Sequence, residues 1–159
     1  MNTQTQNTQI QNTQTQNTQT HSEVLAVLET WLGAIRAGDL DAIGRHYAAD
    51  VSAYDAVGPL RFQGRPAYAE HWRRCLEFCE GETIYEPQPP AVFADSQLAV
   101  VHFLLRCGKR KADGSEESSW MRTTLGLRRE AGSHWLIFHE HSSIPFDMES
   151  GQTQFGLTP

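Results

Sequence analysis

Near its C-terminal end the chain reads His139-Glu-His141, two imidazoles separated by one residue. Side chains two apart leave a strand on the same face, and imidazole is the side chain whose ordinary titration falls near neutral pH. The pair therefore has the makings of an acid/base couple, and with His102 as a third nitrogen the same residues could ligate a metal. They could equally be structural, bonded to backbone or to Glu140, and the spacing does not choose among these readings. Arg122 stands two residues after Trp120 and two before Thr124, so a strand would set an indole, a guanidinium and a hydroxyl on one face. A guanidinium always carries its charge and needs partners. It either clamps a ligand carboxylate, phenolate or enolate, with Asp55 or Glu70 as its internal partner in the empty site, or stands on the surface in a cross-strand ion pair. His71, Cys75 and Cys79 are spaced by four, a row that could suggest zinc. With Tyr68 and Trp72 it is the inner stripe of an amphipathic helix, so core packing is the reading adopted, no metal is expected, and His71 is counted among the residues lining a pocket.

Other elements must position these groups. From Ser22 onward Val24, Leu25, Val27, Leu28, Trp31, Leu32 and Ile35 recur at spacings of three and four, with a capping hydroxyl on Ser22 and a stop at Gly38, which predicts a first helix. Asp39 can cap a second, short helix with Leu40, Ile43, Tyr47 and Ala48 facing inward, ending near Asp50. Residues 51–63 alternate around Gly58-Pro59 and read as a hairpin. Pro66 opens a third helix that runs to Cys79 and is bounded by Gly81. Prolines at 87, 89 and 90 confine residues 83–94 to an edge or bulged strand. The runs 97–107, 117–129 and 134–143 are β-rich and separated by turn clusters, an antiparallel meander. In the last of them alternation puts Trp135, Ile137, His139, His141 and Ser143 on one face, and Leu136, Phe138 and Glu140 on the other. Helices covering one face of a curved antiparallel sheet make an α+β domain, and such a sheet can fold round a cavity.

Composition limits what this domain can be. Every charged side chain lies after residue 20, and the segment before it is an Asn-Thr-Gln repeat with only Met1 and Ile10 apolar. Without an apolar face it cannot offset the entropy of ordering, so residues 1–20 are expected to be a disordered tail, 21–147 one domain and 148–159 a C-terminal extension. The net charge is -6 and the basic pairs are scattered among acids, which argues against a nucleic-acid footprint. No apolar run reaches the length of a membrane span and no secretory leader opens the chain, so the expected location is cytoplasmic. The chain has three cysteines and no Cys-x-x-Cys, the pattern of reduced thiols rather than of a disulfide framework.

Two stretches carry a family resemblance. Ala37-Gly-Asp-Leu-Asp-Ala-Ile-Gly-Arg-His-Tyr-Ala-Ala-Asp50, followed by Ala53-Tyr-Asp-Ala-Val-Gly58 and Phe62-Gln-Gly-Arg65, resembles the opening of the NTF2-like superfamily, to which ketosteroid isomerase and the SnoaL-like polyketide cyclases belong. Arg122-x-Thr124 and Trp135-Leu-Ile-Phe-His-Glu-His-Ser-Ser-Ile-Pro145 resemble the SnoaL-like branch near the calcium/calmodulin-dependent kinase II association domain. The resemblance covers about residues 22–147. It implies a cone-shaped α+β barrel, with three N-terminal helices packed on a strongly curved, mainly antiparallel sheet, a small-molecule ligand in the cone, and a homodimer formed through the sheet.

The resemblance also implies roles. Asp55 falls where ketosteroid isomerase places its general base, in a context matched by Tyr47, Ala48, Asp50 and Gly58. A carboxylate lifted partly from water is a better proton acceptor near neutral pH, as removing a proton next to a carbonyl requires. The oxyanion-hole tyrosine of that enzyme aligns with Trp31, which can donate a hydrogen bond but holds no titratable proton. Its neutral acid aligns with Thr123 or Thr124, so steroid isomerisation itself is disfavoured. The expectation is a small-molecule-binding protein without cofactor. If it is a catalyst, it is an isomerase or cyclase acting by proton transfer, with Asp55 as base, Trp31 and Arg122 at the oxyanion, and His139 or His141 shuttling the proton. The competing expectation is a non-catalytic association or ligand-carrier domain.

Overall fold

The computed structural model of the protein describes residues 3–79, 81–130 and 134–159, with side chains from Thr18 onward. Its elements are α1 (Thr3–Ala37), α2 (Leu40–Arg45), β1 (Tyr47–Tyr54), β2 (Phe62–Gln63), α3 (Arg65–Phe78), β3 (Glu82–Pro87), β4 (Ala91–Ala94), β5 (Leu98–Arg110), β6 (Glu116–Glu130) and β7 (His134–Ser143). The expected α+β order is present, with the hairpin read at residues 51–63 appearing as β1 and β2 ahead of α3. The expected tail falls on backbone that α1 carries back to Thr3, and the side chains before Thr18 lie outside the described residues. Ser22 is therefore not a cap. Its hydroxyl donates back to the Thr18 carbonyl one turn earlier, as a serine inside a helix does.

Tyr47 and Ala48 belong to β1 rather than to the inner face of α2. The backbone N–H of His46 closes the last turn of α2 onto Ile43 and Gly44, while its carbonyl accepts from the Ile137 N–H of β7 at 2.8 Å. Chain direction is thus handed from helix to sheet at one residue. The prolines split the expected edge strand in two, and β3 and β4 both pair antiparallel with β5.

The strands form one sheet of seven in the order β2-β1-β7-β6-β5-β3, with β4 also on β5. Every pairing is antiparallel except β1 with β7. α1 packs on β3 and β4, and α3 on β1 and β2, so all three helices lie on the concave side. Val24, Leu28, Trp31, Leu32 and Ile35 of α1 meet Val101, Leu105, Leu125, Leu127 and Ile137 of the sheet in one buried core. Each such side chain contributes about 1.5–3 kcal/mol when fully buried. Among the described residues no helix is long and apolar enough to cross a membrane.

One irregularity decides which side chains enter this core. Leu127 pairs with Ile137 but Gly126 pairs with His139, so Phe138 is an extra residue in β7, a β-bulge. Trp135 and Ile137 are buried before the bulge, and Glu140 and Ser142 are buried after it. Strict alternation kept His139 and His141 with Ile137; the bulge reverses the phase, turns both imidazoles to the outer face and brings Glu140 inward. Gly126 makes room, because a Cβ there would stand 3.0 Å from the Phe138 ring.

The long β5–β6 pair needs a second close approach. A Cβ on Gly108 would fall 2.0 Å from the Glu117 carbonyl, a backbone atom that cannot step aside. Gly108→Ala is expected to destabilise the protein by about 2 kcal/mol or more through this overlap, seen as a lower midpoint in chemical denaturation. An unchanged midpoint would mean that the strand ends separate freely.

Candidate functional site

Four elements meet at the Tyr47 hydroxyl. It lies 3.0 Å from Trp31 Nε1 of α1, 3.2 Å from Trp72 Nε1 of α3 and 2.6 Å from Glu140 Oε2 of β7. An indole N–H can only donate, so the oxygen accepts twice and its own hydrogen goes to the carboxyl. The Tyr47, Tyr68, Trp31, Trp72 and Tyr85 rings pack edge to face around this junction and fill the interior of the cone. Burial pushes the Tyr47, Tyr68 and Tyr85 hydroxyls well above their ordinary range, so they remain protonated donors. Glu140 is 1% exposed. Burial raises its carboxyl to about 7, with the Tyr47 hydrogen bond pulling the other way and the Asp55 charge adding to the rise.

Asp55 ends β1 and reaches back towards the same centre. Its Oδ1 accepts from the Val57 N–H at 3.1 Å, which fixes the turn. Its Oδ2 lies 3.3 Å from the Tyr68 hydroxyl and 3.1 Å from His71 Nε2. The Tyr68 hydroxyl donates to Asp55, and its ring stands edge-on to that of Tyr47, whose hydroxyl donates to Glu140. The His71 ring is stacked on Phe62 at 4.2 Å and lies near parallel to Tyr68 at 5.7 Å. Burial alone would lower its pKa, but hydrogen bonds to Asp55 and Cys75 outweigh that and hold it up at about 9. At neutral pH it is an imidazolium, with Nε2–H directed at Asp55. The Cys75 sulfur lies 3.5 Å from Nε2 and 4.0 Å from Nδ1.

His71 forms part of the wall of a cleft of about 650 Å³ that opens between α3 and the β1–β2 loop. Val57, Pro59, Phe62 and Phe78 make the walls apolar, and Glu70 and Arg74 pair with each other at 3.1 Å on the rim. Gly58, at φ 89°, lets the loop pass close to the Phe62 and His71 rings. The size suits a small organic molecule.

The residues that sequence reasoning expected in one pocket are divided by the sheet. Trp31, Asp55 and His71 lie on the inner side, Trp31 bonded to Tyr47 and through it to Glu140, and Asp55 bonded to Tyr68 and His71. The outer side takes His139, His141, His102, Trp120, Arg122 and Thr124. His102, Thr124, His141 and Tyr54 run across four strands as one cross-strand row. His139 Nδ1 lies 2.8 Å from the Ser52 carbonyl, and Tyr54 stands edge-on to both imidazoles. His139 and His141 therefore cannot shuttle a proton for Asp55, because the sheet stands between them. Arg122 reaches neither Asp55 nor Glu70, which are taken by His71 and by Arg73 and Arg74. Among the described residues Arg122 has no ion pair, and no group of three or more His, Cys, Asp or Glu side chains is arranged to hold a metal ion. The C-terminal extension turns on a Phe146–Thr153 bridge and sets Phe155 beside Phe78, Cys79 and Cys107.

Sequence reasoning passed over Glu140 as a pocket group and placed Tyr47 in the wrong element. A usable signal did exist. Two tryptophans and two tyrosines on inward stripes carry polar tips that must find partners, which requires a buried acceptor somewhere in the core.

A few helices laid across one side of a curved, mainly antiparallel sheet are the architecture of the NTF2-like class of α+β folds. The sequence profile of the SnoaL-like domain matches residues 24–147, and the chain belongs to that family. It is 40% identical to an NTF2-like protein of unknown function from Pseudomonas putida, over 87% of this chain and 95% of that one, with a TM-score of 0.80. An NTF2-like superfamily protein from Salmonella enterica superposes at TM-score 0.71 with 18% identity, over 85% of this chain and 97% of that one. A ketosteroid isomerase-like protein from Erwinia carotovora superposes at 0.64 with 20% identity, over 77% and 93%. These last two likenesses concern the fold alone. No curated protein matches.

Two groups make stability depend on pH with the same sign. Glu140 is raised from 4.5 to about 7, so the folded state holds a proton that the unfolded chain loses across that window. His71 is raised from 6.5 to about 9, and its contribution is complete below the unfolded value and lost as pH rises through the folded one. Stability should therefore fall as pH rises from about 5 to about 9, by an amount on the order of 3 kcal/mol for each group. In thermal melts, Glu140→Gln should flatten the acid half of this slope and His71→Asn the alkaline half. A wild-type stability that rises across the range would contradict both assignments.

Proposed function

We propose that this protein binds a small carbonyl-bearing molecule in the cleft beside His71 and acts on it by proton transfer without a cofactor, in the manner of an isomerase or cyclase. The observation that carries this reading is the 3.1 Å Asp55–His71 pair at an apolar cleft. The imidazolium offers its remaining N–H to the carbonyl oxygen, where negative charge develops as the neighbouring carbon loses its proton. Asp55, paired with that ring and partly open to solvent, is the base and holds the ring in register. His71 thus takes the part that the sequence suggested for His139 or His141. Trp31 acts at a distance, by fixing Tyr47, and Arg122 takes no part. The Asn-Thr-Gln repeat of residues 1–20 stands outside this work as an appended segment.

2-Naphthol, a bicyclic phenol that mimics a dienol, is a suitable probe for fluorescence titration. His71→Asn and Asp55→Asn should each weaken its binding about tenfold or more, the worth of a hydrogen bond to a charged group. His141→Asn and Arg122→Ala should leave it unchanged. Equal losses from the outer-face variants, or no binding by the wild type, would sink the cleft as the site.

The outer face favours a second role alongside the first. Phe93 is 66% exposed, Leu98 53%, Val100 46% and Tyr54 40%, all on strands whose other side is the core. We read this face as the surface on which a second copy docks, giving a homodimer through the sheet. A stable pair needs about 800 Å² from each partner, an area this broad sheet can supply. Light scattering should find a dimer for the wild type and a monomer for Phe93→Lys combined with Val100→Lys. A wild-type monomer would leave the face without this explanation.

A further inference from the structure

We infer that Cys75 is a nucleophilic site for α,β-unsaturated carbonyl compounds: its sulfur adds to the β-carbon while His71 holds the carbonyl oxygen. The inference rests on the reading of the cleft beside His71 as the ligand site, and it names the class of carbonyl compound that the cleft takes.

Three features converge on this sulfur. Cys75 is part of the wall of the 650 Å³ cleft, with His71, Phe62 and Phe78, and it is only partly buried. One turn of α3 separates it from His71, a spacing at which helical side chains meet, and Sγ lies 3.5 Å from Nε2 and 4.0 Å from Nδ1. The ring itself is 8% exposed and is fixed by Asp55 at 3.1 Å and by its stacking on Phe62. A cysteine that only fills a core meets apolar neighbours. This one meets a positively charged ring at the edge of an open space, and the thiolate that attacks carbon forms most readily beside a cation.

The other two thiols lack this setting. Cys79 and Cys107 line a separate hollow with Phe155. Burial pushes the Cys79 thiol up, and that of Cys107 up to about 12. Neither has an imidazole against it among the described residues.

The ring serves both ends of the addition. Its Nε2–H is directed at Asp55, so Nδ1–H remains for a ligand, and among the described residues no oxygen or nitrogen bonds to Nδ1. A carbonyl oxygen held there has its β-carbon two atoms beyond the carbonyl carbon, within reach of a sulfur 4.0 Å from the same nitrogen. The thiol first gives its proton to water. As the sulfur–carbon bond forms, the C=C electron pair shifts towards the carbonyl oxygen, where the imidazolium N–H stabilises the growing charge. A proton from water then reaches the α-carbon and the C=O bond is restored. The net change is addition of S–H across C=C, with nothing oxidised or reduced.

2-Cyclohexenone, a small cyclic member of this class, is the probe, read on the full chain at neutral pH by intact-mass spectrometry and peptide mapping. The wild type should gain one probe mass, on Cys75, about tenfold or more faster than glutathione reacts under the same conditions, the worth of a hydrogen bond to a charged group. Cys75→Ala should take up none, Cys79→Ala should react as the wild type does, and His71→Asn should lose the rate advantage while keeping its circular dichroism spectrum. Saturating 2-naphthol should protect Cys75. Labelling spread over the three cysteines, a rate no faster than that of glutathione, or an unaltered rate in folded His71→Asn would overturn the proposal. Should His71→Asn fail to fold, the place and rate of labelling in the wild type still decide it. If 2-naphthol binds but the enone leaves Cys75 untouched, the cleft reading stands and the nucleophile is rejected. If 2-naphthol does not bind but Cys75 alone is labelled at the faster rate, the cleft reading has failed and the reactive thiol stands.

Discussion

Much of this protein turns on a single oxygen atom. The Tyr47 hydroxyl gathers the indole N–H groups of α1 and α3 and passes its own hydrogen to Glu140 of β7, while Tyr47 itself opens β1. Four elements distant in sequence are thereby held by three hydrogen bonds around an otherwise apolar centre. No buried side-chain polar atom among the described residues lacks a partner. In a low-dielectric interior such a network specifies one packing, since any shift leaves a donor or acceptor unpaired at substantial cost. The same atom accounts for the buried carboxyl: with two donors already on the oxygen, its hydrogen needs an acceptor, and Glu140 supplies it.

Filling the cone with aromatic rings has a consequence for where chemistry can happen. The centre is occupied by Trp31, Tyr47, Tyr68, Trp72 and Tyr85. The open space lies beside it, where the β1–β2 loop stands off α3 and His71 lines a cleft. Three polar groups lie between cleft and core. Asp55 is the most exposed of them, His71 is largely buried against it, and Glu140 is fully buried, with Tyr68 donating to Asp55 and Tyr47 to Glu140. Burial raises the carboxyl of Glu140, while hydrogen bonds to Asp55 and Cys75 hold the His71 imidazole up against its own burial.

The opposite side of the sheet has a different character. Its row of His102, Thr124, His141 and Tyr54 lies among exposed apolar residues, with no carboxylate paired to Arg122 among the described residues. Farther along β5 and β6, Arg106, Arg110 and Lys111 are laced to Glu82, Glu86, Glu116 and Glu117 across the strands. Pairs this exposed add little stability each. What they supply is register for the two longest strands, and with it the alignment of the row above them. A face that is apolar at its centre and charged at its end has the anatomy of a protein contact rather than of an enclosed pocket.

Periodicity, caps and breakers were enough to establish from residue types alone that helices pack on a meander, and to put Trp31, Tyr68, Trp72 and His71 on inward stripes. Those signals are local: a spacing of three and four, an aspartate at a cap, a proline in a strand. Asp55 was singled out through its resemblance to a known base; that it pairs with His71 was not legible. The fate of His139, His141 and Glu140 was not legible, because one unpaired residue, Phe138, reverses the phase of β7, and a bulge is created by how two strands pair rather than by either strand alone. Tyr47 was misplaced for a related reason: a short helix with an inward tyrosine and a strand that begins with one look alike until β7 offers a pairing partner. Sequence by itself determined the elements and the family to which the chain belongs. Only the tertiary structure decided which acid and which imidazole face each other, since that depends on register, and register is a property of contacts between segments far apart in the chain.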